Sequence, residues 1–258
     1  LNDGDDSSTI QLNALSPQLG FAYSVTNHWS IYGGYALGYE TPTLSELSAN
    51  PTGDGGFNQN LNIQNANQWE LGLRYHQEKI KGSVVWYHIN TQDDILPYES
   101  ASFPSQTLYQ NVGTTKRSGL ELDGQWKVTS QTMLSASYST IKACFTNGNL
   151  IEKYLPGIAK DFGSLQLQQN LRWDSSIRFS SIYRGSIYAD NDNTVTIPKN
   201  IVFSLEINKG FNQFNFTAGI QNLLNAQYSD NVRINAFGGR YYEVANARQG
   251  FVRMRYLL

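Results

Sequence analysis

The stretch WSIYGGYALGYE (29–40) puts Trp29, Ile31, Gly33, Tyr35, Leu37 and Tyr39 at every second position, with Ser30, Tyr32, Gly34, Ala36 and Gly38 between them. Successive side chains leave a strand on opposite sides, so a period of two predicts a β-strand with one apolar face. The pattern spreads in both directions. Upstream, Leu19, Phe21, Tyr23 and Val25 alternate with Gly20, Ala22 and Ser24; downstream, Trp69, Leu71, Leu73 and Tyr75 alternate with Glu70, Gly72, Arg74 and His76. Further on, Leu120, Leu122, Gly124 and Trp126 oppose Glu121, Asp123 and Gln125, and Leu134, Ala136 and Tyr138 oppose Ser135, Ser137 and Ser139. Leu165, Leu167, Leu171 and Trp173 face away from Gln166, Gln168, Asn170 and Arg172; Ile201, Phe203, Leu205 and Ile207 from Ser204, Glu206 and Asn208; and Phe214, Phe216, Ala218 and Ile220 from Asn215, Thr217 and Gly219. Two segments resist assignment: 80–91 is apolar on both faces (Val84, Val85, Trp86, Tyr87), and 177–185 is interrupted at Ser181 and Ile182.

The reading gives about 11 strands, over 9–26, 29–40, 66–77, 80–96, 107–127, 131–145, 161–173, 176–189, 199–209, 212–228 and 244–257. Several exceed the roughly 5 to 6 residues of a soluble strand and reach the 9 to 11 needed to cross a bilayer at a tilt. Composition agrees: 13% aromatic residues with 16 Tyr and 22 Gly suit β-structure with many turns. No apolar run approaches the roughly 18 residues of a transmembrane helix, so any span is made of strands. The net charge of -2 gives no electrostatic footprint for nucleic acid and no polybasic membrane patch. The single cysteine, Cys144, has no partner for an internal disulfide and reads as a packing residue. Leu1 to Thr9 is acidic, without the basic start and apolar core of a signal peptide, so the sequence reads as a mature chain or a fragment.

Alternation fits a soluble barrel as well as a membrane barrel, and two features separate them. Short turns at 26–28, 77–79, 128–130, 174–175 and 210–211 alternate with long polar loops at 41–65, 146–160, 190–198 and 229–243. Outer-membrane barrels have this asymmetry, with short periplasmic turns and long external loops. Trp29, Tyr75, Trp126 and Trp173 also lie on the apolar side beside the short turns, as an interfacial girdle would. If short turns are periplasmic, the first and last strands both run toward the periplasm and the acidic N-terminal segment begins outside. An odd strand count that starts in an external loop leaves the wall unclosed, and open edges in lipid cost several kcal/mol per unsatisfied backbone group, so missing upstream strands are expected.

The runs SPQLGFAYSVTNHWSIYGGY (16–35), YALGYETPTLSEL (35–47), NQWELGLRY (67–75), DDILPYE (93–99), NVGTTKRSGLEL (111–122), YLPG (154–157), GIQNLLNAQY (219–228) and FGGRYYEVANAR (237–248) together resemble, in collinear order, the late barrel strands of TonB-dependent outer-membrane receptors. The resemblance covers essentially the whole chain. It implies an all-β, antiparallel transmembrane β-barrel in which residues 1–258 form roughly the second half of a 22-stranded wall. In the family an N-terminal plug fills the lumen and carries the box that engages an inner-membrane energy-transducing protein; neither is found in this sequence. The implied function is active uptake of a metal chelate, of the ferric siderophore or ferric citrate type, across the outer membrane. The implied partners are outer-membrane lipid and lipopolysaccharide, the plug and the N-terminal half of the barrel, the energy-transducing protein and the chelate, with no cofactor.

Ligand recognition in such receptors comes from inward-facing aromatics and cations of the external loops. On the strand map these are Arg233, Arg240, Tyr241 and Tyr242 in the last loop and Arg184 at an external strand end, since guanidinium forks match carboxylates and planar rings pack on chelates. Loop packing and lipopolysaccharide contact are the plainer explanation for the same residues. Glu70, Arg74, Glu121, Asp123, Arg172 and Glu206 face the lumen and are expected to bond across the wall or to a plug. Lys116 and Arg117 read as a solvated basic pair near lipopolysaccharide phosphates, Gly113 and Gly119 as bends, and Asn222 and Asn225 as structural residues.

No enzyme constellation emerges. His28, His76 and His88 are widely separated, and the Asp190-Asn191-Asp192-Asn193 run offers Ca2+ ligands but fits Asx turns better. At the C-terminus Tyr256 joins Val252 and Met254 on the apolar side, but the last residue is Leu258 rather than the aromatic that marks such chains for assembly. Among rivals, an autotransporter translocator needs a pore-threading helix that residues 1–10 do not provide. A diffusion porin needs an even strand number, and an outer-membrane enzyme would lose activity on changing one polar wall residue.

Overall fold

A computed structural model describes residues 7–53 and 55–256. In chain order the elements are β1 (Gln18–Ser24), β2 (Trp29–Glu40), α1 (Leu44–Ser48), β3 (Gln64–His76), β4 (Ile80–Gln92), β5 (Ile95–Ser100), β6 (Phe103–Asn111), β7 (Thr114–Lys127) and β8 (Thr132–Phe145). They continue with β9 (Asp161–Leu171), β10 (Ser175–Arg184), β11 (Ile187–Tyr188), β12 (Thr196–Ile197), β13 (Asn200–Phe211), β14 (Phe214–Gln221), β15 (Ser229–Val232), β16 (Tyr242–Val244) and β17 (Gln249–Tyr256). Eleven of the strands form one antiparallel sheet, in the order β1-β2-β3-β4-β7-β8-β9-β10-β13-β14-β17. Three separate hairpins, β5–β6, β11–β12 and β15–β16, stand on its long connections.

One register runs through the wall. The partners Tyr23–Ile31–Leu73–Val84–Leu122–Tyr138–Gly163–Tyr183–Ile201 cross nine strands without a change of face. A slip of one residue would turn a strand's whole apolar set over, so this continuity is what keeps one side greasy. The row starts beside a short turn in β1 and ends at the opposite end of β13, so the strands are inclined, as closure of a barrel wall requires. From Trp29 to Tyr39 β2 covers about 33 Å along the strand, or roughly 25 Å of depth at a tilt near 40°. That is the height of the apolar band of an outer-membrane barrel.

The greasy side is the exposed side. All five tryptophans are solvent-accessible on it or at its edge: Trp29 42%, Trp86 44%, Trp126 47%, Trp69 51% and Trp173 84%. A soluble barrel would bury them. Trp29 packs on Tyr75 with ring centroids 4.6 Å apart, and Phe214 packs on Tyr256 at 5.2 Å, both at the short-turn end. Dry cores occur instead under the long connections: Leu96, Ala143, Phe145 and Leu155 form one, and Ile187, Ala189 and Ile197 another. The buried Cys144 packs beside the first of these, where it bridges Tyr154.

Several boundaries differ from the sequence reading. The first strand begins at Gln18 rather than at residue 9, because Pro17 has no N–H for the ladder, although its carbonyl accepts from Leu37 N at 3.0 Å. The segments 80–96 and 107–127 each divide, because Asp93 (φ 57°) and Gly113 (φ 85°) take the left-handed conformation and swing β5–β6 out of the wall. The expected strand 176–189 stops at Arg184, and the strands expected over 212–228 and 244–257 are interrupted at 222–228 and 245–248. The turn expected at 210–211 lies at 212–213, where Asn212 has φ 52°. Trp173 sits in a turn with φ 58° rather than on a strand face. Gly119 is no bend: it lies within β7 under the Tyr87 ring, where an added Cβ would stand 2.5 Å from Oη. Register also resolves segment 80–91, aiming Val84 and Trp86 outward with Leu122 and Leu120, and Val85 and Tyr87 inward. The expectations for Leu1 to Asp6 and for Leu257 and Leu258 lie outside the described residues.

Leu71 and Gln166 lie on opposite faces of this wall. Leu71→Arg, at mid-depth on the apolar side, is expected to destabilise the protein in lipid vesicles by roughly 2–4 kcal/mol. Gln166→Arg on the polar side should stay within about 0.5 kcal/mol. Urea unfolding in vesicles reads both, and equal effects would contradict the assigned faces.

Candidate functional site

The long connections all leave the same end of the wall, the external end by the short-turn rule. Their side chains lock them to one another. In the first, the short helix α1 is fixed by a capping box: Glu46 N donates to Thr43 Oγ1 at 3.3 Å, and Thr43 N donates to Glu46 Oε2 at 2.7 Å. Its Leu47 is buried.

The root of the β5–β6 hairpin is held by a buried carboxylate. Asp94 Oδ2 accepts from Arg117 Nη2 at 2.7 Å and from Thr115 Oγ1 at 2.6 Å, while Arg117 Nη1 donates to Thr91 Oγ1 at 3.0 Å. Arg117 is therefore an inward anchor rather than half of a solvated pair. Lys116 is on the outer face, by its register with Asn90 and Cys144.

The far end of the same hairpin reaches the last external loop. Glu99 forms an ion pair with Arg233, accepts from Phe237 N at 3.0 Å, and has Arg240 Nη2 at 3.9 Å. Asn235 adds a backbone link to Glu99 N (3.2 Å), donates from Nδ2 to Pro97 O (3.1 Å), and accepts at Oδ1 from Asn191 N (2.8 Å). One residue thereby joins three connections.

The 190–193 run is an Asx turn. The Asp190 carboxylate accepts from Val195 N at 2.9 Å, Thr194 N at 3.2 Å and Thr194 Oγ1 at 2.5 Å. Asn193 exchanges two bonds with the Tyr154 backbone. Burial pushes the Asp190 carboxyl up, but the Thr194 hydroxyl and the Val195 and Thr194 amides outweigh it and hold the group below its usual 3.8. Among the described residues no three His, Cys, Asp or Glu side chains gather to hold a metal. His28 and His76, far apart in sequence, are neighbours across β2 and β3, with His28 Nδ1 3.2 Å from His76 O. His88 is elsewhere, bonded to Ser118 Oγ at 2.8 Å.

Of the residues expected to contact ligand, Arg233 and Arg240 converge on Glu99, Tyr241 packs against the Ile187 cluster, and Tyr242 is exposed on β16. Arg184 donates to the carbonyls of Ser229 and Asp230 at the foot of β15. Asn222 and Asn225 are structural, bonding Ala226, Asn246 and Arg248. On the lumen side Arg178, which the sequence reading passed over, pairs with Glu206 at 3.4 Å; Asp123 accepts from Ser83, and the Arg74 guanidinium lies 4.9 Å from the centre of the Tyr32 ring. Arg172 is in a turn. A lumen-side concavity of about 840 Å³ is lined by Tyr32, Glu70, Val85, Tyr87, Arg117 and Glu121 among others. Glu99, Asp94 and Asn235 were not singled out from sequence, since no local pattern marks a contact across 138 residues.

An antiparallel wall, greasy outside and polar inside, with interlocked loops at one end, defines an outer-membrane β-barrel. A family model described as "TonB dependent receptor-like, beta-barrel" matches residues 2–223. The chain belongs to that family, which consists of outer-membrane receptors and transporters of Gram-negative bacteria and is not an enzyme class. It is 24% identical over 236 residues to the probable TonB-dependent siderophore receptor PiuA of Acinetobacter baumannii, covering 82% of this chain and 30% of that protein. A TonB-dependent receptor of Haemophilus influenzae is also 24% identical, over 85% of this chain and 65% of its own length. Among solved structures, the copper transporter OprC superposes with a TM-score of 0.79 at 18% identity, covering 93% of this chain and 39% of that one. The chain thus spans about a third of one curated relative and somewhat under two thirds of the other.

Because the Asp190 carboxyl titrates lower in the fold than when unfolded, its stabilisation of the β11–β12 turn is complete above the unfolded value near 3.8 and fades as pH falls through the lower folded value. Protection of the Val195 amide, its exchange relative to an unfolded peptide at the same pH, should fall over that acidic range, and Asp190→Asn should remove that fall. Protection that declines equally with acid in the variant would contradict the assignment.

Proposed function

We propose that this chain forms part of the wall and external mouth of a receptor that takes up a metal chelate across the outer membrane, energised from the inner membrane. The observation that supports the reading is the mouth itself: connections far longer than the opposite turns stand at one end of a polar-faced wall, and they or the strand ends beneath them carry Arg184, Arg233, Arg240, Tyr241 and Tyr242. A ferric siderophore or ferric citrate type of ligand fits best, because guanidinium groups pair with its carboxylates and aromatic rings pack on its chelating face. The kinship with a probable siderophore receptor supports the same class.

The sheet has two free edges, on β1 and β17, and lipid cannot satisfy their backbone groups. Further strands therefore complete a barrel of about 22. The concavity under Tyr32 and Tyr87 is where a plug domain would bear on this part of the wall, with Glu70 and Glu121 available to its donors. Energy enters through that plug, which touches the inner-membrane energy transducer, and this segment contributes no catalysis. Outer-membrane lipid would surround the apolar band, and the outward register of Lys116 near the external end of β7 supports contact with lipopolysaccharide phosphate.

Deleting the gene should abolish uptake of radiolabelled ferric chelate by iron-starved cells, and a protonophore should abolish it in the parent. Uptake that survives the protonophore would mark a diffusion porin instead.

A further inference from the structure

The outward face of the wall changes character at the external ends of β7 and β8. Lys116 stands ten positions from Trp126 on the same face of β7, about 33 Å along the strand or roughly 25 Å of depth at a tilt near 40°. With Trp126 in the girdle at the short-turn end, Lys116 lies at the far edge of the apolar band, where lipid headgroups begin. Lys142 of β8 shares that face. It pairs with Ser118 while Lys116 pairs with Cys144, so the two lysines are diagonal neighbours, roughly 7–8 Å apart.

Among the described residues neither lysine makes an ion pair or a side-chain hydrogen bond. Both line a concavity of about 580 Å³ with Cys144, Ile151, Glu152 and Tyr154. A third ammonium is close by, since Lys160 Nζ lies 3.9 Å from the centre of the Tyr154 ring and 5.4 Å from that of Tyr188. Toward β4 the same level is polar: His88 has Nδ1 2.8 Å from Ser118 Oγ and Nε2 3.1 Å from Asn90 Nδ2. One step deeper, Trp86 and Leu120 pair and are exposed on the apolar side. Two ammonium groups side by side at the edge of hydrocarbon repel each other unless an anion joins them, and the lining offers only Glu152, which bonds to neither. A phosphate monoester supplies nearly two charges and three acceptor oxygens. A phospholipid diester supplies a single charge and has no hydroxyl-rich sugar for the His88 row.

We infer that Lys116 and Lys142 clamp a phosphate monoester of an outer-leaflet glycolipid against the outside of β7 and β8, with Tyr154 closing the site from the β8–β9 connection. The inference rests on the lipid-facing side assigned above, and it deepens the lipopolysaccharide contact proposed for Lys116 by naming the site and its phosphate chemistry. The acyl chains lie on Trp86 and Leu120, and the sugar hydroxyls meet the His88 row. The β8–β9 connection is tied to this corner of the wall by Phe145 N donating to Lys153 O at 2.9 Å and Leu155 N to Ala143 O at 3.0 Å. A headgroup held between the lysines and Tyr154 therefore secures that connection as well.

Amide exchange of residues 142–155 in the full-length protein, followed while bisphosphorylated lipid A is titrated into its detergent micelles, reads this corner of the wall apart from any lipid bound elsewhere. Exchange should slow with a saturable midpoint. Lys116→Gln and Lys142→Gln should each raise that midpoint about fivefold and together roughly thirtyfold, whereas Lys116→Arg and Lys142→Arg should keep it near the parent value. Lys79→Gln, in a turn at the opposite end of the wall, should leave it unchanged, and dephosphorylated lipid A should give no protection. Equal protection by phosphatidylglycerol, no protection at saturating lipid A, or a midpoint indifferent to the two glutamine variants would overturn the inference. Any of those results in a protein that still takes up chelate sinks the glycolipid site alone. Lipid A protection that follows the lysines, in cells that take up no chelate, sinks the transport reading and leaves the site in place.

Discussion

Hydrocarbon neither donates nor accepts hydrogen bonds, and the rest of the architecture follows from that constraint. Each backbone N–H and C=O at membrane depth must be answered from within the wall, which a continuous antiparallel ladder achieves at every strand but its two edges. The same solvent inverts the usual rule of burial. Leucines and tryptophans are outermost, serines and glutamines line the interior, and one unbroken register from Tyr23 to Ile201 keeps the two sets apart.

Where the chain leaves lipid, ordinary protein physics returns. The external connections have small dry cores around Phe145 and Ile187, a capped helix, an Asx turn and buried carboxylates paired with arginine. Asp94 and Glu99 mark the two ends of one hairpin: Arg117 of the wall fixes its root, and Arg233 of the last loop holds its far end. The root bond has a partner in the adjoining strand and is part of the scaffold. The distal bond ties elements that separate strands would otherwise keep apart.

The wall was legible because its signal is local. WSIYGGYALGYE carries its own period, and the greasy faces of 69–75, 120–126 and 201–207 are those on the outside of the sheet. Boundaries were less legible where one residue in the left-handed conformation breaks an otherwise continuous alternation, as at Asp93, Gly113 and Asn212. Segment 80–91, apolar on both faces, needed its neighbours' register to be resolved. At the mouth, the sequence suggested Arg233 and Arg240 by charge and loop position but not the acid they meet. Glu99 lies 134 residues from Arg233, in a stretch with no periodicity of its own, and only the meeting of the β5–β6 hairpin with the last external loop brings them together. Arg117 shows the same limit in miniature, because a Lys-Arg dipeptide gives no indication that its two side chains leave on opposite faces.

The claim that the apolar face meets lipid is tested most directly by the tryptophans, since all five are accessible on that side or at its edge. Fluorescence of the protein in vesicles of phospholipid brominated at successive acyl positions reports their depth. Single-tryptophan versions retaining Trp69 or Trp86 should be quenched most strongly by bromines deep in the chain, and those retaining Trp29 or Trp126 by bromines nearer the headgroup. Emission unaffected by brominated lipid at any depth would place these rings in a protein interior and contradict the account.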